Sequence, residues 1–326
     1  MKQLINLSAT FIFATTGIAF ADPLPSWADT EARTRIIAFV DGVTDASSED
    51  YVTPSDRIAV FDNDGTLWGE QPVYFQLIYA VDTVKEMAKN DPSVLTSDAL
   101  KAAAAGDFAA LAKGGLEAIL EVINATHSGR SVDDFQANVA DWLETAKHPT
   151  TGLGYDQMTY QPMVELLSYL RDEDFKTYIV SGGGVHFMRV FAERAYGIPP
   201  EQIIGSYSDS SYKMVDGEPT VVKEPGIAFV DDKEGKPVNI ERIIGKRPVI
   251  AGGNSDGDFA MIEWTTAGKG PHLGLIVHHT DGEREVAYDC DSHIGQLCDG
   301  LEKGPDMGWL IVDMAKDWSV IYTGAR

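Results

Sequence analysis

A short, mostly apolar run, RIAVF at residues 57–61, is followed at once by the polar segment DNDGT at residues 62–66. A run of this length that ends in turn-forming residues is typical of a buried β-strand. Carboxylates directly after such a strand lie at its carboxyl end, the edge where open α/β sheets bind ligands. The pattern therefore predicts a strand that delivers Asp62 and Asp64 to a binding site.

The next segment, from Tyr74 to about Trp142, changes to a helical pattern. It contains an alanine-rich stretch at residues 100–111, and Phe135, Val139 and Trp142 recur at helical spacing. Apolar positions three or four residues apart indicate helices with one buried face. We interpret the segment as a helical cap inserted after the first strand, with limits at residues 67–155.

Beyond the cap, predicted helices and strands alternate. Residues 163–170 have an amphipathic helical pattern, and residues 175–180 have a strand pattern that ends in SGGG. Further strands are predicted at 202–205, 248–252 and 273–277, and further helices at 185–196, 238–244 and 258–264. Repeated alternation of this kind is typical of a parallel sheet covered by helices. We therefore predict a doubly wound α/β core formed by residues 22–66 and 156–326.

The first 21 residues have the organisation of a secretory signal peptide. Lys2 precedes an apolar run from Leu4 to Phe20, and Ala19 and Ala21 have the spacing that signal peptidase recognises. The alternative is a retained membrane anchor, but polar residues interrupt the run, which is short for a membrane span. We expect cleavage after Ala21, a periplasmic or secreted protein, and no stable membrane insertion after cleavage.

Composition and charge restrict the class of partner. The chain has 326 residues, of which 44% are hydrophobic, and a net charge of -24. Without residues 1–21, whose single charge is Lys2, 25 basic residues remain against 50 acidic ones, and the net charge is near -25. Such a protein repels polyanions, and the sequence has no basic stripe to overcome this. Nucleic acid is therefore excluded as a partner, and a small molecule is expected.

The chain contains two cysteines, Cys290 and Cys298. An oxidising compartment outside the cytoplasm would favour a disulfide between them, and two free thiols are the alternative. A zinc site is not expected, because no companion ligands lie at zinc-binding spacing.

Four motifs carry a resemblance to a known family. They are DNDGT at 62–66, SGG at 181–183, Lys236 ahead of a predicted helix, and GNSDGD at 253–258. In the order of these motifs the chain resembles the haloacid dehalogenase (HAD) superfamily, and its helical insert resembles that of the phosphoserine phosphatase branch. The resemblance covers about residues 58–261 and implies a magnesium-dependent phosphatase.

The resemblance implies different roles for the two aspartates of the first motif. Asp62 would attack phosphorus and form an aspartyl-phosphate, one of the covalent intermediates open to carboxylates. Asp64 would protonate the departing alcohol and then activate a water molecule. A carboxyl group that stays partly protonated beside another carboxylate suits this role. Expulsion of a halide needs no such acid, so Asp64 favours a phosphatase or phosphotransferase over a dehalogenase.

The phosphate-binding residues implied by the resemblance are Ser181, Gly182 and Thr66, together with Lys236. Backbone N–H groups between a strand and a helix attract anions, and a lysine neutralises both the phosphoryl group and the Asp62 carboxylate. Most lysines are solvated surface residues, so the choice of Lys236 depends on its position before the last motif. The alternatives are Lys213, Lys223 and Lys233.

The metal implied by the resemblance is Mg²⁺, which prefers oxygen ligands. Its ligands would come from Asp62, Asp64, Asn254 and Asp258. The chain departs from the family pattern at Asn254, where the first acidic residue of GDxxxD is expected. An amide oxygen can ligate Mg²⁺, but it contributes less attraction than a carboxylate. Asp256 and Asp258 are therefore the alternatives to Asn254 as the residue of this motif that supplies a carboxylate to the metal.

Three other polar residues draw attention. Glu70 lies where phosphoserine phosphatases carry a carboxylate for the substrate amine, so a cationic headgroup is one interpretation and a solvated loop glutamate the other. His278 and His279 end an apolar run, and we interpret them as structural residues.

The function predicted from these residues is hydrolysis of a small organic phosphate ester with Mg²⁺ as cofactor. One alternative is an exported protein that binds phosphate esters without turnover. The other is a phosphotransferase of the same superfamily. The identity of the ester is not determined by the motifs.

Overall fold

A computed structural model describes residues 22–324 of the chain. The predicted signal peptide lies outside the described residues. Within them the chain forms eight strands: β1 Ile58–Phe61, β2 Lys176–Gly184, β3 Ile203–Ser206, β4 Ser210–Val215, β5 Glu218–Lys223, β6 Ile250–Gly253, β7 Leu273–His278 and β8 Leu310–Asp313. The α-helices before β2 are α1 Glu31–Thr44, α2 Phe75–Asn90, α3 Asp98–Ala105, α4 Phe108–His127, α5 Val132–Thr145 and α6 Gln161–Asp172. Those after it are α7 Val185–Met188, α8 Ala192–Tyr196, α9 Gly235–Ile244, α10 Phe259–Thr266, α11 Asp299–Lys303 and α12 Met314–Asp317.

Six of the strands form one parallel sheet in the order β3-β2-β1-β6-β7-β8. Strand β1 lies at the centre, and the chain builds outward from it first on one side and then on the other. In such sheets the place where the strand order reverses leaves a crevice at the carboxyl ends of the strands. Here that place is between β1 and β6, so the segments after these two strands are brought together.

Strand β1 is buried on both faces. Ala59 and Phe61 belong to one hydrophobic cluster, and Ile58 and Val60 belong to a second. Because successive side chains of a strand point to opposite faces, the two clusters lie on the two sides of the sheet. This confirms the doubly wound α/β fold predicted from the sequence.

The insert between β1 and β2 contains helices α2 to α5. Helices α2, α3 and α4 share a separate hydrophobic cluster made by Ala80, Val81, Val84, Leu100, Ala103, Leu111 and Val122. The insert therefore has a small core of its own. Its helices occupy residues 75–145, and the limits of a cap domain at residues 67–155 stay a prediction.

The strands predicted at 202–205, 248–252 and 273–277 correspond to β3, β6 and β7. The helix predicted at 185–196 is divided into α7 and α8, because the amides of Val190 and Phe191 bond to carbonyls three residues back and tighten the backbone.

The antiparallel hairpin β4–β5 was not predicted. Its strands are largely exposed, and Tyr212, Met214 and Val221 lie on the surface, so it lacks the alternation of a half-buried strand. No helix within residues 22–324 is long and apolar enough to cross a membrane.

The two central strands approach so closely that a small residue is required between them. Gly252 pairs with Phe61 across the β1–β6 ladder, and a Cβ at Gly252 would lie 2.6 Å from Phe61 Cδ1. We expect Gly252→Ala to reduce the free energy of unfolding by about 1–3 kcal/mol, the usual cost of overpacking. Urea unfolding followed by circular dichroism measures this change.

The control is Gly42→Ala in helix α1, where a Cβ would have no heavy atom within 4 Å. Alanine is favoured over glycine inside a helix by up to about 1 kcal/mol, so this variant should be more stable than wild type. Equal stability of Gly252→Ala and wild type would show that the contact between β1 and β6 can relax.

Candidate active site

The segments that follow β1, β2 and β6 meet at one edge of the sheet. The backbone N–H of Asp62 donates to the carbonyl of Gly252 at 3.0 Å, which extends the β1–β6 ladder by one residue. Asp62 is 8% exposed, Ser181 near the end of β2 is 1% exposed, and Asn254 after β6 is 1% exposed. Parallel strands thus bring three of the four sequence motifs together.

Lys236 connects these segments from helix α9. Its Nζ lies 3.0 Å from Asp62 Oδ1 and 2.5 Å from Asp258 Oδ1, and it donates to the carbonyl of Val180 at 3.0 Å. The side chain is 1% exposed. Burial alone would lower the pKa of Lys236, but the carboxylates of Asp258 and Asp62 raise it above its usual range, so the ammonium stays charged.

The three alternative lysines lie elsewhere. Lys213 forms an ion pair with Glu224 on the hairpin, and Lys233 is exposed. The Nζ of Lys223 lies 3.0 Å from His186 Nδ1, and its burial lowers its pKa to about 8. Among the four candidates, Lys236 is the one in contact with Asp62.

Asp64 is half-buried and accepts a hydrogen bond from Trp68 Nε1 at 2.7 Å. Burial raises the pKa of Asp64 to about 6, against the lowering effects of the Trp68 hydrogen bond and of Lys236. A Cβ at Gly183 would lie 3.5 Å from Asp64 Oδ2, so this carboxyl group faces the glycine-rich end of β2. Its position and its partial protonation suit a group that donates a proton.

The predicted phosphate-binding residues have different surroundings. Ser181 Oγ accepts the backbone N–H of Gly183 at 3.1 Å, and Gly182 is exposed. Thr66 is fully buried and donates to the amide oxygen of Asn254 at 3.0 Å. Gly182 therefore lies exposed near the end of β2 beside the buried Ser181, whereas Thr66 supports the loop after β6.

The two aspartates of the loop after β6 are engaged within the protein. Asp258 binds Lys236 through Oδ1, and its Oδ2 accepts the backbone N–H groups of Asn254 and Ser255, each at 3.0 Å. The carboxylate of Asp256 accepts three backbone N–H groups at the start of α11, from residues 298, 299 and 300, at 2.9 to 3.1 Å. Of the three residues considered as sources of a metal ligand in this loop, Asn254 has the side chain beside the DNDGT segment.

The donor atoms at this edge fit a hard cation that keeps part of its water shell. Among residues 22–324, no group of three or more His, Cys, Asp or Glu side chains forms a ready metal cage. Asp62 Oδ1, however, is buried and has no well-oriented hydrogen bond among these residues, although Lys236 lies close to it. Mg²⁺ is commonly bound by one or two carboxylates, with water and phosphate completing the shell. Asp62 and Asn254 would supply protein oxygens of that kind.

Glu70 is buried, at 1% exposure, and its contacts are with the protein. Its Oε1 accepts hydrogen bonds from Tyr288 Oη at 2.6 Å and from Asn254 Nδ2 at 2.8 Å. Burial raises the pKa of Glu70 to about 7, against the lowering effect of the Tyr288 hydrogen bond. It is not a solvated loop residue, and its contact with a substrate amine stays a prediction.

Tyr288 and the loop that follows it were not predicted from the sequence to belong to the site. Cys290 and Cys298 form a disulfide, and the closed loop lies against both Glu70 and Asp256. The two cysteines were the one signal that could have directed attention to this segment. His279 Nε2 donates to the carbonyl of Gly65 at 2.7 Å, and its ring stacks on Tyr288, which agrees with the structural interpretation of this histidine.

Comparisons with known proteins agree with this architecture. A protein of unknown function from Anaerococcus prevotii is similar in structure, with a TM-score of 0.53 and 15% identity over 79% of this chain and 88% of that chain. A phosphoserine phosphohydrolase-like protein from Francisella tularensis gives a TM-score of 0.42 and 16% identity over 80% and 97% of the two chains. A probable phosphoserine phosphatase from Vibrio cholerae gives 0.38 and 13% over 71% and 58%. Of these three likenesses, the one with a TM-score above 0.5 supports the fold, and at 15% identity it supports the fold alone.

A search of curated proteins gives no match to this chain. Residues 59–263 match the family model described as haloacid dehalogenase-like hydrolase. The matched region begins in β1 and ends in α10, so it contains all four motifs and confirms the family that they predicted. The chain belongs to the haloacid dehalogenase-like hydrolases.

Proposed function

We propose that this hydrolase is a magnesium-dependent phosphomonoesterase that acts on a small organic phosphate through an aspartyl-phosphate on Asp62. The observation that carries the proposal is the contact of the buried Lys236 ammonium with Asp62, 3.0 Å from Oδ1, while Asp64 lies two residues further along the same strand end. The arrangement combines a carboxylate, a fixed positive charge and a partly protonated acid. These are the groups that phosphoryl transfer to a carboxylate requires.

In the first step, a carboxylate oxygen of Asp62 would bond to phosphorus as the bond between phosphorus and the ester oxygen breaks. The departing alkoxide would take the proton of Asp64. In the second step, Asp64 would accept a proton from water as the water oxygen attacks phosphorus. This releases inorganic phosphate and restores the Asp62 carboxylate.

The phosphoryl oxygens need positive partners throughout both steps. Lys236 would supply a fixed charge, and the backbone at Ser181 and Gly182 would supply N–H groups at the exposed end of β2. Bound Mg²⁺ would screen the repulsion between the Asp62 carboxylate and the phosphate. The residues that would hold it are Asp62 and Asn254, with Asp64 beside them. Asp258 would act through Lys236 and through the backbone of its own loop.

We also propose that the protein is exported. The signal-like segment at residues 1–21 and the Cys290–Cys298 disulfide support this, because disulfides persist in oxidising compartments outside the cytoplasm.

A panel of phosphomonoesters, assayed for released phosphate, tests the proposed function. We expect hydrolysis of at least one ester with Mg²⁺, loss of activity with a chelator, and recovery when Mg²⁺ is restored. Ester binding without any release of phosphate would identify a binding protein instead. Transfer of phosphate to an added alcohol in preference to water would identify a phosphotransferase.

The nucleophile is tested by Asp62→Asn. Because no other side chain is expected to bond phosphorus, this change should reduce kcat by at least about a thousandfold. Circular dichroism should show an unchanged fold, since the amide has nearly the same shape as the carboxylate. Turnover close to wild type in the folded variant would contradict the mechanism.

The acid is tested by Asp64→Asn, with pre-steady-state kinetics in excess substrate on two kinds of ester. Nitrophenolate leaves without a proton, so the variant should release about one nitrophenolate per enzyme in a burst and then turn over slowly. With an alkyl phosphate, whose leaving group needs the proton, the first step should slow by about 10² to 10⁴-fold and the burst should disappear. Equal slowing of the first step for both esters would argue against an acid role for Asp64.

A further inference from the structure

Glu70 and Asn254 form a buried pair beside the DNDGT loop. Both residues are 1% exposed, and Asn254 Nδ2 donates to Glu70 Oε1 at 2.8 Å. The pair joins positions 184 residues apart in the sequence. A carboxylate is therefore in direct contact with the residue that stands where the family pattern has an acid.

The loop after β6 cannot supply this charge from its own aspartates. Asp258 is bound to Lys236 and to two backbone N–H groups, and Asp256 binds the start of α11. Both carboxylates are thus already bound to other groups of the protein. The side chain of this loop that contacts the DNDGT segment, through Thr66, is the neutral amide of Asn254, and the carboxylate behind that amide belongs to Glu70.

The hydrogen bonds also determine which way the Asn254 amide faces. Its nitrogen points to Glu70, and its oxygen accepts a bond from Thr66 Oγ1 at 3.0 Å. A carbonyl oxygen has two lone pairs, so Oδ1 keeps one for a further partner. If Glu70 were neutral or absent, the hydrogen bond from Asn254 Nδ2 would be weakened or lost, and the amide would be held less firmly in this orientation.

Glu70 is held in place from two directions. Tyr288 Oη donates to it at 2.6 Å, and Gly65 and Gly295, both with positive φ, bring backbone against the carboxylate. A Cβ would lie 2.4 Å from Glu70 Oε1 at Gly65 and 2.0 Å from it at Gly295. Glycine at both positions leaves room for this side chain, so its placement is closely defined.

Glu70 has no cation in direct contact with its carboxylate among the described residues. None of the ion pairs formed within residues 22–324 includes Glu70, and its two hydrogen-bond donors, Tyr288 and Asn254, are neutral. Burial makes the charged form of Glu70 unfavourable, and the Tyr288 hydrogen bond and the nearby His279 offset this cost only in part. A divalent cation on the far side of the Asn254 amide would offset this cost.

We propose that Glu70 and Asn254 are a charge-exchanged metal pair: Glu70 carries the negative charge that the family pattern places at position 254, and Asn254 presents the neutral oxygen. Glu70 is a positioning residue in this scheme, acting on the metal through Asn254. The proposal rests on the magnesium dependence of the proposed function. It assigns Glu70 to the metal and not to a substrate amine.

The test measures metal binding without substrate, by Mn²⁺ titration followed by electron paramagnetic resonance, with Mg²⁺ as competitor. Glu70→Gln keeps the shape of the side chain and removes its charge. We expect at least a tenfold weaker affinity for Mn²⁺ and Mg²⁺, with the melting temperature of the metal-free protein unchanged or raised.

The reciprocal changes complete a double-mutant cycle. Asn254→Asp alone puts two carboxylates in contact, so the metal-free protein should melt at a lower temperature than wild type, bind Mg²⁺ more tightly, and recover its melting temperature when Mg²⁺ is added. The double variant Glu70→Gln/Asn254→Asp exchanges carboxylate and amide and can remake the hydrogen bond between them. Its Mg²⁺ affinity should return to within about threefold of wild type.

Glu285→Gln is the matched control. Glu285 is also buried and also accepts from tyrosines, Tyr160 at 3.0 Å and Tyr322 at 3.2 Å, but it does not contact Asn254. This variant should leave the Mg²⁺ affinity unchanged.

Three outcomes would overturn the inference. Wild-type metal affinity in Glu70→Gln would show that its charge does not reach the metal. Unchanged metal affinity together with a higher KM for amine-bearing esters, and not for glycerol phosphate, would assign Glu70 to the substrate instead. Absence of Mn²⁺ and Mg²⁺ binding in the wild-type protein would refute the metal dependence in the proposed function as well, and this result is distinct from the first two.

Discussion

The buried ammonium of Lys236 is the interaction on which the rest of the site depends. It contacts Asp62 after β1, the carbonyl of Val180 in β2, and Asp258 after β6. One side chain therefore ties together the ends of three neighbouring strands. A lysine at 1% exposure is rare, and removal of one partner from a buried ion group typically costs about 3–5 kcal/mol. The charge arrangement that we assign to catalysis is thus also part of what holds the sheet edge together.

A second group of contacts surrounds this centre from the C-terminal part of the chain. The loop closed by the Cys290–Cys298 disulfide supplies Gly295 against Glu70, and its end supplies the N–H groups that bind Asp256. Tyr288, just before the loop, binds Glu70. The same short segment therefore constrains both the DNDGT side and the GNSDGD side of the site. A disulfide here restricts a loop whose contacts set the position of two carboxylates.

The helical insert is joined to the core close to the same place. Gln76 at the start of α2 accepts the backbone N–H of Gly184 at 2.7 Å, and its Nε2 lies 3.2 Å from His127 Nε2. The turn between α4 and α5 pairs with the hairpin, where the N–H of Gly129 donates to the carbonyl of Lys223 at 2.8 Å. These bonds fix the insert against the glycine-rich end of β2 and against the hairpin.

The sequence by itself determined the family, the doubly wound sheet and the position of Asp62 and Asp64, because these follow from short local patterns. A buried strand and the turn after it are encoded within about ten neighbouring residues, and helical periodicity needs little more. The choice of Lys236 was also accessible, since it depends on motif order. The hairpin was not, because two largely exposed strands carry no burial pattern.

What only the tertiary structure decided is which polar atoms meet. Glu70 bonds Asn254 across 184 positions and Tyr288 across 218, and no local pattern contains such a pairing. Asp256 and Asp258 look equivalent in the motif GNSDGD, yet one binds the start of α11 and the other binds Lys236. Their roles separate because a hydrogen bond is short and directional. The packing of distant segments, and not the identity of the residue, decides which donors lie close enough to bond to each aspartate.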